Sequence, residues 1–192
     1  LYEVLMIGFC RDTGQWYLYW GEPEMIPEDR WYSEETCTPV YVSTDRTVHG
    51  LCFLEAGKPD IISLDAAFPV LHGKNGEDGT VQGMLELADI PVIGCGVLPS
   101  AAGMDKELAH RVAAAAGVAV ADSALITKPY DAKEVATSGE RLGYPLFVKP
   151  VRAGSSFGIT KVCTPEELLP AVEAAFEHDR EVLLEEEVRG FE

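Results

Sequence analysis

The sequence predicts a mixed α/β protein in two parts, divided near residue 100. Three observations carry that expectation. Strand-like and helix-like apolar patterns alternate along the chain, which favours sheets covered by helices, with mostly buried strands. The run at 66–71, AAFPVL, ends in a glycine-rich turn, and Val81, Met84 and Leu85 then recur at helical spacing within 80–87, giving strand, loop, helix. Further on, a strand at 145–149, a glycine-rich tip at 151–158 and a strand at 159–162 read as a hairpin ahead of a well-signalled helix.

Taken in order, residues 2–9 read as a strand, and the acidic, tryptophan-bearing stretch 16–33 as an exposed hairpin or loop. After the helix at 80–87, residues 91–93 read as a short strand and the small-residue run LPSAAG at 98–103 as the connection between the two parts. Residues 106–116 read as a helix with Leu108, Ala109, Val112 and Ala116 on one side, closed by Gly117 where a left-handed cap is wanted. Thr164, Pro165 and Glu167 supply an N-cap, a first-position proline and a capping-box glutamate, before Leu168, Val172 and Phe176 on one face. The LLEEE run at 183–187 reads as a strand.

Composition narrows the function. With 192 residues, 47% of them hydrophobic and 24% charged, the chain is long enough to bury real cores. No run approaches the roughly 18 consecutive apolar residues of a membrane helix, and the opening residues have no basic region or cleavage site, so a cytoplasmic location is expected. Cys10, Cys37, Cys52, Cys95 and Cys163 show no CxxC spacing, which indicates neither a zinc site nor a disulfide framework. A net charge of −17 argues against a nucleic-acid partner. It also requires that any anion site gather its few cations locally. The chain starts within a strand and stops after another with no closing helix, so further sequence is expected beyond both ends.

Four segments can carry chemistry. In Lys149-Pro150-Val151-Arg152-Ala153-Gly154-Ser155-Ser156-Phe157-Gly158, glycines allow backbone N–H groups to approach a polyphosphate, hydroxyls add donors, and a lysine on the supporting strand adds charge. Taken alone, the same residues fit a plain hairpin with a mobile tip. His72-Gly73-Lys74-Asn75-Gly76-Glu77-Asp78-Gly79-Thr80 follows a strand's carboxyl end, where α/β folds place ligands. It is not a Walker sequence, and Gly94-x-Gly96 meets Pro99 where a dinucleotide fingerprint needs glycine. His72 by itself reads better as a structural histidine, and only within this cluster equally well as a functional one. Asp105-Lys106 opens a helix, with an acid suited to the dipole and a lysine that can turn outward or inward. Residues 183–187 fit either a solvated edge strand or a hinge whose backbone pairs with adenine, with Glu192 holding ribose hydroxyls.

Together these segments resemble the D-alanine–D-alanine ligase family of ATP-grasp enzymes, through FPVLHGKNGEDGTVQG, PVIGCGVLPSAAGMDK, YPLFVKPVRAGSSFGITKV and VLLEEEVRGFE. The order and spacing of HGxxGEDGTxQG and KPxRxGSSxGI are specific, and the resemblance runs from about residue 2 to 192. The wording around Phe157 and the segment AFEHDREVLLEE are closest to vancomycin-resistance-type ligases that join D-alanine to D-serine.

The resemblance implies an α/β, Rossmann-like pre-ATP-grasp domain at 1–100 and the small lobe of an ATP-grasp domain at 101–192, with the large lobe absent. It implies that ATP phosphorylates the carboxylate of D-alanine and that a second D-amino acid attacks the acyl phosphate, making a dipeptide for peptidoglycan. Lys106 and Lys149 would contact the α- and β-phosphates, and Ser155 and Ser156 would cover them. Glu185 would sit at the adenine, Glu192 at the ribose, and His72 and Glu77 beside D-alanine. The metal ligands for Mg²⁺ are expected outside this chain, which alone should lack ligase activity. A homodimer is expected. The alternatives are another carboxylate–amine ATP-grasp ligase or a nucleotide-binding module without catalysis.

Overall fold

A computed structural model describes residues 2–10, 12–154 and 156–190. The chain divides into two compact units, Leu1–Phe68 with Gly83–Gly94, and Pro69–Gln82 with Cys95–Glu192.

The first unit is built on a five-stranded sheet, β1 (Met6–Phe9), β2 (Trp16–Tyr19), β3 (Cys37–Val42), β4 (Gly50–Glu55) and β5 (Lys58–Ser63), in sequence order. Each pair is antiparallel, the arrangement that short local connections permit. Its core is Leu18, Val40 and Leu51, packed by Ile7, Trp16, Phe53 and Ile62 among others. The stretch 16–33 is therefore not simply an exposed loop. Its first four residues form β2, where Leu18 and Tyr19 are buried, and Trp16 pairs in register with Val40. Dense charge downstream of Tyr19 hid that short strand. Gly50 is required by a close approach, since a Cβ there would meet the backbone of Ile62.

The run at 66–71 yields only a parallel bridge between Ala67 and Val92 rather than a full strand. Residues 91–93 are likewise reduced to that bridge. The helix α1 (Thr80–Leu87) forms with the expected bounds.

In the second unit α2 (Val97–Met104) and α3 (Lys106–Ala115) come first. The small-residue run expected to be a connection is thus helical, because its alanines favour helix once Pro99 sits in the first turn, where proline needs no N–H partner. Asp105 ends α2 and caps α3, accepting the Leu108 N–H at 2.9 Å. Gly117 follows α3 at φ +80°. The expected apolar side of α3 is not a core face: Leu108 is 43% and Val112 56% exposed.

A four-stranded sheet follows, β6 (Ser123–Thr127), β7 (Leu146–Pro150), β8 (Thr160–Val162) and β9 (Glu181–Glu186), in spatial order β6-β9-β7-β8 and antiparallel throughout. α4 (Ala132–Leu142) and α5 (Pro165–Ala175) cover one side. The α5 capping box forms as expected, with the Glu167 carboxylate accepting the N–H groups of Cys163 and Thr164. Strand alternation then sorts the side chains. Leu146, Val148, Val162, Val182 and Leu184 point into the core with Val135, Leu168, Val172 and Phe176. Phe147, Lys149, Lys161 and Glu185 fall on the opposite face.

Leu184→Ala should cost about 2–5 kcal/mol, because a fully buried leucine leaves a cavity. Leu108→Ala should change stability by no more than about 0.5 kcal/mol. Urea unfolding of the two variants checks this; the reverse ranking would place the core on the wrong side of the second unit.

Candidate functional site

The second face of the four-stranded sheet collects charge. Register places Phe147 opposite Glu185 and Lys161 on the other side of Phe147. The Lys149 ammonium donates to Glu185 Oε1, both side chains being mostly buried, and His110 Nε2 of α3 lies 3.4 Å from the second carboxylate oxygen. Among the described residues, His110 Nδ1 is a buried nitrogen without a hydrogen-bond partner. Lys161 is paired with Glu187, which raises its pKa above the ordinary lysine value. Glu186 accepts the Asp122 N–H at 2.8 Å, and its own N–H donates to Asp122 O at 3.0 Å. β9 is thus not an edge strand. β6 pairs with it through Glu185 and β7 through Glu186, so among the described residues the backbone beyond Glu186 lies outside the ladder. All three consecutive glutamates already hold a partner.

Lys106 turns inward. Its ammonium donates to Ala153 O at 2.6 Å and Val151 O at 3.3 Å, and its backbone N–H donates to Val151 O at 3.2 Å. Burial, together with repulsion from Lys149, pulls its pKa below the ordinary lysine value against the attraction of Asp179, Glu185 and Asp105. An ammonium so placed gains from any anion that arrives.

The glycine-rich hairpin forms between β7 and β8, with Leu146 paired to Val162. Its tip folds on itself through Phe157 N–H to Gly154 O at 3.0 Å, with Ser156 exposed at φ +57° and Phe157 edge-on to His178. Ser155 and Glu192 lie outside the described residues. The His72–Thr80 loop lies against this tip, since a Cβ on Gly154 would come 3.0 Å from Gly73 Cα and 3.4 Å from Glu77 Oε2. A side chain at 154 would have to push that loop away by a few tenths of an ångström. Glu77 accepts the Gly73 N–H, and Gln82 Nε2, buried, donates to Gly76 O at 3.0 Å. Asp78 orders the turn by accepting from the N–H groups of Asn75 and Thr80. Burial opposes its ionisation, but those donors hold its carboxyl below the ordinary aspartate range. His72 is exposed.

The structure therefore brings together Lys106, Lys149 and Glu185 on one sheet face, and Glu77 against the hairpin tip. Sequence reasoning missed His110, Asp78 and the partners of Arg152. Arg152 ties to Asp179 through Nε at 3.3 Å and Nη2 at 3.1 Å, to Glu181 through Nη2, and to Asp105 through Nη1 at 3.5 Å. The signal available was the DRE run at 179–181 in front of a strand, which offers two acids to a neighbouring turn.

These sheets and loops define a two-part mixed α/β protein. The chain belongs to the D-alanine–D-alanine ligase family: it matches the model described as "D-ala D-ala ligase N-terminus" over residues 1–95 and "D-ala D-ala ligase C-terminus" over 112–192. It is 46% identical over 159 residues to the vancomycin B-type resistance protein VanB of Enterococcus faecalis, covering 83% of this chain and 45% of that protein. It is 41% identical over 186 residues to a D-alanine–D-alanine ligase of Thermoanaerobacter sp., covering 96% of this chain and 51% of the relative. The structure matches that of the VanG D-Ala:D-Ser ligase from Enterococcus faecalis with a TM-score of 0.86 and 49% identity, over 98% of this chain and 54% of that one. The chain spans about half the length of these relatives. Among the described residues, no helix is long and apolar enough to cross a membrane.

The Asp179 carboxyl gives a pH test. Burial works against its ionisation, but hydrogen bonds from Arg152 and from the backbone of Arg152 and Arg180 hold its pKa below the ordinary value. A depressed folded pKa contributes stability above the unfolded value of about 3.9 and loses it as pH falls through the folded value. Asp179→Asn should therefore lower stability at pH 7 and narrow its gap to the unsubstituted chain below about pH 4. Denaturant titrations at both pH values measure it; a gap independent of pH would contradict the assignment.

Proposed function

We propose that this chain forms the nucleotide-binding front of an ATP-dependent carboxylate–amine ligase that joins D-alanine to D-alanine through an acyl phosphate. The observation carrying the reading is the convergence of Lys106 and Lys149 beneath a glycine-rich hairpin, in a protein of net charge −17. Two lysines and loop N–H groups suit a polyphosphate, for which positioning and charge neutralisation supply most of the catalysis. The closeness of the hairpin tip to Gly73 and Glu77 supports a carboxylate substrate bound on that side, with His72 and Glu77, beside the phosphates. Ser155, Ser156 and Glu192 remain assigned by family resemblance to phosphate cover and ribose.

Without nucleotide the Lys149 ammonium is held by Glu185; with nucleotide it would turn to the phosphates while the adenine ring lies at the end of β9. Among the described residues no cluster of His, Cys, Asp or Glu could hold a metal. The described residues do not supply a ligand set for Mg²⁺. The product would feed peptidoglycan synthesis, and thereby cell-wall biogenesis and cell shape, in the cytoplasm, with a homodimer as the working assembly.

A second reading takes D-serine as the second substrate, favoured by the 49% identity to a ligase named for D-Ala:D-Ser. Offering the complete protein ATP, D-alanine and D-serine, then separating the products, distinguishes the two. D-alanyl-D-alanine as main product supports the first reading, and D-alanyl-D-serine the second. Phosphate release without either dipeptide would contradict both.

Lys149→Ala should raise KM for ATP roughly 10- to 100-fold, the equivalent of a charge-assisted bond of about 1.5–3 kcal/mol. Unchanged ATP kinetics would remove Lys149 from the site.

A further inference from the structure

Arg152 stands within the glycine-rich hairpin, yet its guanidinium is committed to acids on the surrounding elements. Asp179 lies in the turn before β9, Glu181 opens β9, and Asp105 caps α3 immediately before Lys106. The Arg152 backbone N–H adds a bond to Asp179 Oδ2 at 2.7 Å. On either side, Val151 N–H donates to Glu181 O at 3.1 Å, and the Val151 and Ala153 carbonyls both accept from the Lys106 ammonium. Three consecutive residues are thus fastened to β9 from one direction and to α3 from the other. The glycine tip begins directly after them.

We propose that Arg152 is a positioning residue of the phosphate site: tied to Asp105, Asp179 and Glu181, it locks the entry of the hairpin to α3 and β9 and so fixes where the Lys106 ammonium stands. The inference rests on the nucleotide reading above. Arginine suits the task because its planar fork presents five donors at fixed angles, enough for three acids at once. A lysine offers a compact point charge and reaches fewer of them. The lock also moderates charge. Asp105 and Asp179 both act on Lys106, and a guanidinium among them reduces the negative potential that an incoming polyphosphate meets. Lys106 depends on the same lock, because the carbonyls that orient its ammonium belong to the residues on either side of Arg152.

The test uses Arg152→Lys and Asp179→Asn in the complete protein. ATP kinetics are measured alongside hydrogen exchange of residues 151–158 in the ligand-free state. Each variant should raise KM for ATP about tenfold, the loss expected of a charged hydrogen bond, while kcat at saturating ATP stays within about threefold. Exchange across 153–158 should quicken, with β7 and α5 still protected as evidence that the fold is intact. The double variant should be little worse than either single one, because both break one network. A raised KM with unchanged loop exchange would overturn the proposal, since Arg152 would then act on nucleotide only through its charge. Faster loop exchange with unchanged KM would equally overturn it, because the lock would not serve the phosphate site. An unsubstituted protein that binds no ATP sinks the nucleotide reading itself, and shows it without any variant.

Discussion

The second unit depends on one constraint: a strongly acidic chain has to hold cations together without losing them to solvent. It meets this by giving each cation at the site an acid or carbonyl partner on a neighbouring element. Lys149 rests on Glu185, Lys161 on Glu187, Lys106 on the carbonyls of Val151 and Ala153, and Arg152 on three carboxylates. Partly buried pairs of this kind are screened less than surface pairs and keep their geometry, although their net effect on stability is small. Their value here is placement. Alternation along β7 then separates the two tasks, with Leu146 and Val148 building the core and Lys149 facing the charged side.

Much of this was legible in the sequence where local chemistry decides structure. The α5 capping box, the hairpin between β7 and β8 and the bounds of α1 follow from residues within a few positions of one another. Long-range partners were not legible. Nothing local shows that LPSAAG continues as α2, that β2 is an interior strand of its sheet, or that Leu108 and Val112 stay exposed on a helix with proper periodicity. Amphipathic spacing says which residues share a face, but not whether anything packs on it.

The candidate site shows the same division. Lys106, Lys149 and the glycine-rich tip were visible because their residue types and spacing carry the chemistry. The acids that hold them were not, since Glu185, Asp179 and Asp105 reach Lys149 and Arg152 across 36, 27 and 47 positions of sequence. Glu185, expected at the adenine, has its side chain between Lys149 and His110. With Glu185 supporting a lysine, the backbone beyond the end of β9 is the part open to a base in the proposed site.

The claim that Lys106 and Lys149 form a phosphate site is tested most directly by titrating the Lys106 ammonium by NMR, with lysine isotopically labelled, with and without ATP. The account predicts a midpoint below the ordinary lysine value of about 10.4 in the free chain, because burial and Lys149 disfavour the charge. It predicts that ATP moves the midpoint upward, because phosphate oxygens favour the protonated form. A midpoint at the ordinary value, unmoved by saturating ATP, would contradict it.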